Sequence, residues 1–105
     1  MERKLIIAKE SNIVEYHFVE FDDGMDFISI TRIIEDKISP DKMDYQGIED
    51  MHGFFEKDNL HVDLEYDGMI GNWMEFKGEQ SEKNLAKVRE WANIIFDNLM
   101  GYRVN

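Results

Sequence analysis

The stretch QSEKNLAKVREWANIIFDNLMG, residues 80–101, decides the fold. Leu85, Val88, Ala92, Ile95 and Leu99 recur at spacings of three and four, and Trp91, Phe96 and Met100 widen the same stripe. That is the period of a helix with one face to bury. Ser81 carries a hydroxyl that can cap the first turn, Glu82 suits the positive end of the helix dipole, and Gly101 stands where a left-handed residue would end the helix. Glu82, Lys83, Lys87, Glu90, Asn93, Asp97 and Asn98 fall mostly on the opposite side, and Ile94 is expected to point away from the stripe. Each large side chain buried on such a stripe contributes roughly 1.5–3 kcal/mol. The preceding chain must therefore supply a surface to receive it.

Working backwards, residues 60–66 read as the cleanest strand. Leu60, Val62, Leu64 and Tyr66 alternate with His61, Asp63 and Glu65, the two-residue period of a sheet with one face buried and one in water. Asp67-Gly68 suits a hairpin turn, and residues 69–76 read as a further strand loosened by Gly71. Near the start, the apolar run at residues 4–8 reads as a strand, Lys9-Glu10-Ser11-Asn12 as a turn, and residues 13–21 as a second strand with Val14, Tyr16 and Phe18 on one face. Asp22-Asp23-Gly24 then predicts a hairpin, followed by a third strand over residues 25–35 in which Ile28, Ile30 and Ile34 alternate with Ser29 and Thr31. Residues 36–59 allow two readings. Ser39-Pro40-Asp41 resembles a helix start, giving a short helix near residues 40–52, while Gly53-Phe54-Phe55-Glu56 equally begins a strand. The sum is one α+β domain over residues 1–105: an antiparallel sheet of four to six strands with the C-terminal amphipathic helix packed on one face.

Composition narrows what such a domain does. The formal net charge is −11, and residues 38–80 hold eleven acids against three bases, whereas residues 81–105 hold three against four. Acidity concentrated in this way repels phosphate backbones and anionic lipid heads and attracts cationic partners, so neither nucleic acid nor membrane is expected as a partner. The chain has no cysteine, which removes disulfide and thiolate chemistry and fits a reducing cytoplasm. MERKLIIAKE offers only four apolar residues before Lys9-Glu10, too few for the apolar core of a secretory leader, and a cytoplasmic location is expected.

No catalytic pattern stands out. The serines lie in no Gly-x-Ser-x-Gly elbow, Gly68-x-x-Gly71 lacks the lysine and hydroxyl of a phosphate loop, and Asp22-Asp23-Gly24-Met25-Asp26 lacks the ligand alternation of a calcium loop. His61, Asp63 and Glu65 share one strand face, which His17 or His52 can join in space, but without the helical or Cys/His spacing that marks metal centres. The expectation is a protein that is not an enzyme and carries no metal and no cofactor. Aromatic residues are more suggestive. Phe54 and Phe55 are adjacent, so in a strand only one enters the core and the other needs a cover. Aromatic anchors ringed by charge are what protein-binding surfaces use.

In size, absence of cysteine, acidity and compact α+β layout, the chain resembles the immunity proteins that neutralise secreted bacterial toxins, many of them basic nucleases. The resemblance is one of layout over the whole chain and carries no motif and no residue correspondence. It implies a bacterial, cytoplasmic inhibitor whose partner is a basic toxin domain, the chain itself being a monomer or weak homodimer. The residues expected at such a surface are Asp58, Asp63, Glu65 and Asp67, with Phe54 and Trp73 as apolar anchors. The alternative is a small structural or interaction domain, dimeric through a sheet edge.

Overall fold

The computed structural model describes residues 4–10 and 12–103. Six strands, β1 (Lys4–Glu10), β2 (Ile13–Val19), β3 (Lys42–Gly47), β4 (Met51–Lys57), β5 (Leu60–Asp67) and β6 (Gly71–Phe76), form one open antiparallel sheet in the order β1-β2-β6-β5-β4-β3. Two helices, α1 (Gly24–Ile33) and α2 (Glu82–Tyr102), complete an α+β fold. A β1–β2 hairpin and a β3 to β6 meander meet along one seam, where Val14 faces Phe76 and His17 faces Trp73. Ser11, in the expected first turn, and Val104 and Asn105, in the expected tail, lie outside the described residues.

The alternation of each strand sets the core. Val14, Tyr16 and Phe18 of β2, Phe55 of β4, Val62 and Leu64 of β5, and Met74 and Phe76 of β6 are all buried, and they meet Val88, Trp91, Ala92, Ile95 and Leu99 of α2. Phe55 packs edge-on to Trp91 with ring centroids 5.4 Å apart, fixing α2 against β4, a geometry that adds to plain area burial. Ser81 caps α2 by accepting from the Asn84 N–H, as expected. Three details of α2 differ. Ile94 is half-buried against the core, Met100 is 53% exposed, and the helix continues through Gly101 to Tyr102. The last extension has a tertiary cause: Ser29 donates its hydroxyl to the Tyr102 carbonyl at 3.0 Å, and the Tyr102 hydroxyl donates to Asp36 at 2.9 Å.

Residues 24–38 form a helix, not the expected hairpin and third strand. Asp23 is the N-cap, its carboxylate accepting from the Asp26 N–H at 2.9 Å while the Asp26 carboxylate accepts from the Asp23 N–H, a reciprocal capping box. Phe27, Ile30 and Ile34 then lie on one face with Ile33, all buried. The β-branched isoleucines favour a strand by intrinsic preference, but the cap and burial against α2 override it. The helix closes in a π-helical turn, Ile34–Ile38, ended by Ser39 in the left-handed region at φ 57°. Lys57 reaches across from β4 and donates to the Ile38 and Ser39 carbonyls at 2.6 and 3.0 Å, placing a cation where the helix dipole is negative. Ser39-Pro40 is thus a stop rather than a start, because proline disfavours helical backbone at the residue before it. The expected short helix near residues 40–52 is replaced by β3, its turn and the start of β4. The alternative strand reading from Gly53 is the one observed.

Candidate functional site

Both helices pack into the one core on the same side of the sheet, and among the described residues no element covers the other face. The antiparallel register assembles that face in rows. Glu15 lies opposite Glu75, Glu75 opposite Asp63, and Asp63 opposite Phe54. In the next row His17 lies opposite Trp73, Trp73 opposite Glu65, and Glu65 opposite His52. Outward positions alternate with the buried ones already described, so these side chains stand on one surface. All three histidines of the chain, His17, His52 and His61, are on it.

Like charges directly opposite each other in a sheet destabilise it, and the Glu15, Glu75, Asp63 row places two such pairs in succession. Neighbouring groups offset part of this. The Trp73 indole N–H donates to Glu75 at 2.7 Å, and the Lys77 ammonium lies 3.4 Å from Glu75 and 4.0 Å from Asp63. His17 is 2.8 Å from Glu15. His61 sits between two carboxylates, with Nδ1 2.8 Å from Glu56 and Nε2 3.0 Å from Asp63. Partial burial works against the imidazolium, yet the bonds to Glu56 and Asp63 prevail and raise the His61 pKa. Glu65 is shifted the other way in effect: burial between its neighbours, reinforced by the charges of Glu75 and Asp63, raises its carboxyl pKa and disfavours its anion.

The aromatic residues of the face are braced by the same histidines. Trp73 stacks on His17 with centroids 5.6 Å apart, and Phe54 stacks on His61 at 5.0 Å with the Lys42 ammonium 5.6 Å from its ring centre. His61 and Lys42 are the cover that Phe54 needs once Phe55 has entered the core. Both Phe54 and Trp73 remain half-exposed.

Of the residues singled out from sequence, Asp63, Glu65, Phe54 and Trp73 come together on this face. Asp58 and Asp67 do not. Asp58 is in the β4–β5 turn with φ 53°, and its carboxylate lies 3.8 Å from Lys87 on the helix side of the sheet. Asp67 ends β5, where its Oδ1 accepts from the Met69 and Ile70 N–H groups at 2.8 and 3.2 Å and so shapes the β5–β6 turn. His17 and His52 stand on the same face as His61, Asp63 and Glu65, as the sequence allows; Glu15, Glu56 and Glu75 also belong to it and are not marked for it by the sequence. The alternation within each strand marks their orientation; the pairing of β5 with β6 and with β4 brings Glu75, His52 and Glu56 beside the β5 residues, and the pairing of β2 with β6 adds Glu15 and His17. Among the described residues, no three His, Asp or Glu side chains are grouped to ligate one metal ion, and no helix is long and apolar enough to cross a membrane.

The arrangement suits recognition of positive charge: carboxylates in a row and two flat aromatic surfaces for cation–π contact. Compared with known proteins, the chain matches no family model, and neither curated proteins nor solved structures give a significant match.

Proposed function

We propose that this chain is a cytoplasmic protein-binding inhibitor that captures a basic protein, in the manner of the small acidic immunity proteins that neutralise nuclease toxins. The observation that supports this reading is the uncovered sheet face, where Glu15, Glu75 and Asp63 occupy consecutive positions of one cross-strand row beside Glu65, Trp73 and Phe54. Acids held against one another at a cost to stability serve a partner that brings the missing positive charge. Long-range attraction to such a face speeds encounter, and the aromatic surfaces slow departure.

The test begins with the immobilised chain, which captures its partner from the source cell for identification and purification. Association is then measured at low salt for the parent and for Asp63→Asn/Glu65→Gln/Glu75→Gln. The on-rate should fall at least about tenfold in the triple variant while the fold is retained. An unchanged on-rate, or a captured partner that is itself acidic, would count against the proposal.

A second reading, a homodimer through a sheet edge, is favoured by β3, an edge strand paired among the described residues with β4 alone and exposed at all but one position. Such edges are templates for strand addition. Light scattering at increasing concentration separates the two readings, since edge pairing predicts twice the monomer mass.

A further inference from the structure

Strand β5 carries His61 between two carboxylates. Its Nδ1 stands 2.8 Å from Glu56 Oε2 and its Nε2 3.0 Å from Asp63 Oδ1. A neutral imidazole has one proton for its two nitrogens, so it donates to only one of these acids and turns a lone pair towards the other. Only the imidazolium satisfies both, and the geometry is that of the charged ring. The ring also stacks on Phe54, with centroids 5.0 Å apart and planes 18° from parallel. A flat cation lying on an aromatic ring and bonded to two carboxylates is the arrangement that a partner's basic side chain would take on this face.

The surroundings of His61 decide what its proton controls. From β4, Glu56 lies directly opposite it, and Lys42 of β3 lies opposite Glu56 in turn. On β5 its neighbour is Asp63, which faces Glu75 of β6. Lys77, just past β6, and Glu79 line a cleft of about 460 Å³ together with His61 and Asp63. Of these cations, the two lysines keep their charge through the range near neutrality and His61 does not. Lys77 stands closer to Glu75, at 3.4 Å, than to Asp63, at 4.0 Å, so it is a poor substitute for the imidazolium at Asp63.

We propose that His61 is a proton-operated occupant of the open face: as an imidazolium it holds Glu56, Asp63 and Phe54, and as a neutral ring it gives them up to the cation of a basic partner. This regulation rests on the reading of the open face as a surface for a basic protein. Loss of the proton removes one positive charge from the acid row and leaves one ring nitrogen facing a carboxylate that it cannot bond. Attraction for a cationic partner accordingly rises with pH, and by linkage a bound partner lowers the pH at which His61 is charged.

The experiment is an NMR titration of the ¹³C-labelled chain with N-acetyl-hexaarginine amide at low salt, at about pH 5.5 and about pH 8.5, on either side of the histidine range. A His17→Gln/His52→Gln background leaves His61 as the sole histidine. Saturable shifts are expected in the side-chain signals of Phe54, Glu56 and Asp63, with affinity about fivefold higher at the upper pH, the worth of one exposed charge pair. Saturation with the probe should also lower the pKa of the His61 ring, read from its Cε1–H resonance. Adding His61→Gln, which leaves Glu65 and both lysines in place, should abolish most of the difference between the two pH values. Saturable binding on the face with the His61 pKa unmoved, or with the same pH ratio in the His61→Gln chain, would overturn the switch and leave the acidic face standing. No saturable shift on the face at either pH would overturn both.

Discussion

Glu65 stands between Trp73 and His52 in its row. Burial first, and then the charges of Glu75 and Asp63, hold its carboxyl pKa above the ordinary range. The folded chain therefore keeps this proton more tightly than the unfolded chain. Ionisation of Glu65 lowers stability by nothing below the ordinary carboxyl pKa of about 4.3, and by the full amount once pH exceeds the raised folded value. Glu65→Gln is expected to melt above the parent at pH 7 and together with it at about pH 3, as followed by circular dichroism; equal melting at pH 7 would show that the anion is not disfavoured. His61 has the opposite sign of effect. Its pKa is raised by Glu56 and Asp63 against the pull of burial, so its stabilising contribution is complete below the ordinary value of about 6.5 and is lost as pH rises through the folded one. The His61 ring resonance should titrate above that ordinary value, and Asp63→Asn should bring it down.

At the scale of elements, α1 depends on its reciprocal cap more than on its residue preferences. Asp23→Ala should cost about 1 kcal/mol, read as a fall of about 4–8 °C in Tm for a domain of this size. Asp23→Asn, which keeps the acceptor, should cost less. A full loss in the asparagine variant would place the effect in charge rather than in the hydrogen bond. The same element marks the limit of what the sequence makes legible. The C-terminal helix, β2 and β5 declare themselves because each follows a single period, although the helix runs on through Gly101 and β2 ends at Val19. In the segment from Met25 to Ile34, isoleucines at 28, 30, 33 and 34 fit an alternating pattern and a helical one together, and Asp23 and Asp26 decide between them only if read as a pair. Ser39-Pro40 was ambiguous in the same way, its meaning depending on whether a helix precedes it. The open face was half legible. Asp63 and Glu65 share a strand with a plain alternation, but Glu15 and Glu75 join them through pairings that no local pattern encodes.

At the scale of the molecule, the sheet is asymmetric, with helices on one side and carboxylates facing each other on the opposite side. The Glu15 and Glu75 pairing is a repulsion that the fold tolerates. Glu15→Gln/Glu75→Gln should raise the urea midpoint at low salt, and the gain should shrink in about 0.5 M sodium chloride, where charges are screened within a few ångströms. A gain independent of salt would assign it to packing instead. The seam described above has a kinetic consequence. The β1–β2 hairpin and the β3 to β6 meander each close over short stretches of chain, whereas the contact of Val14 with Phe76 joins positions roughly sixty apart. Loop-closure entropy must be overcome before that contact yields any return, and distant strand pairing is the slow part of assembly in small domains. The two halves of the sheet therefore form early and separately, and their zippering together sets the pace at which the chain becomes native.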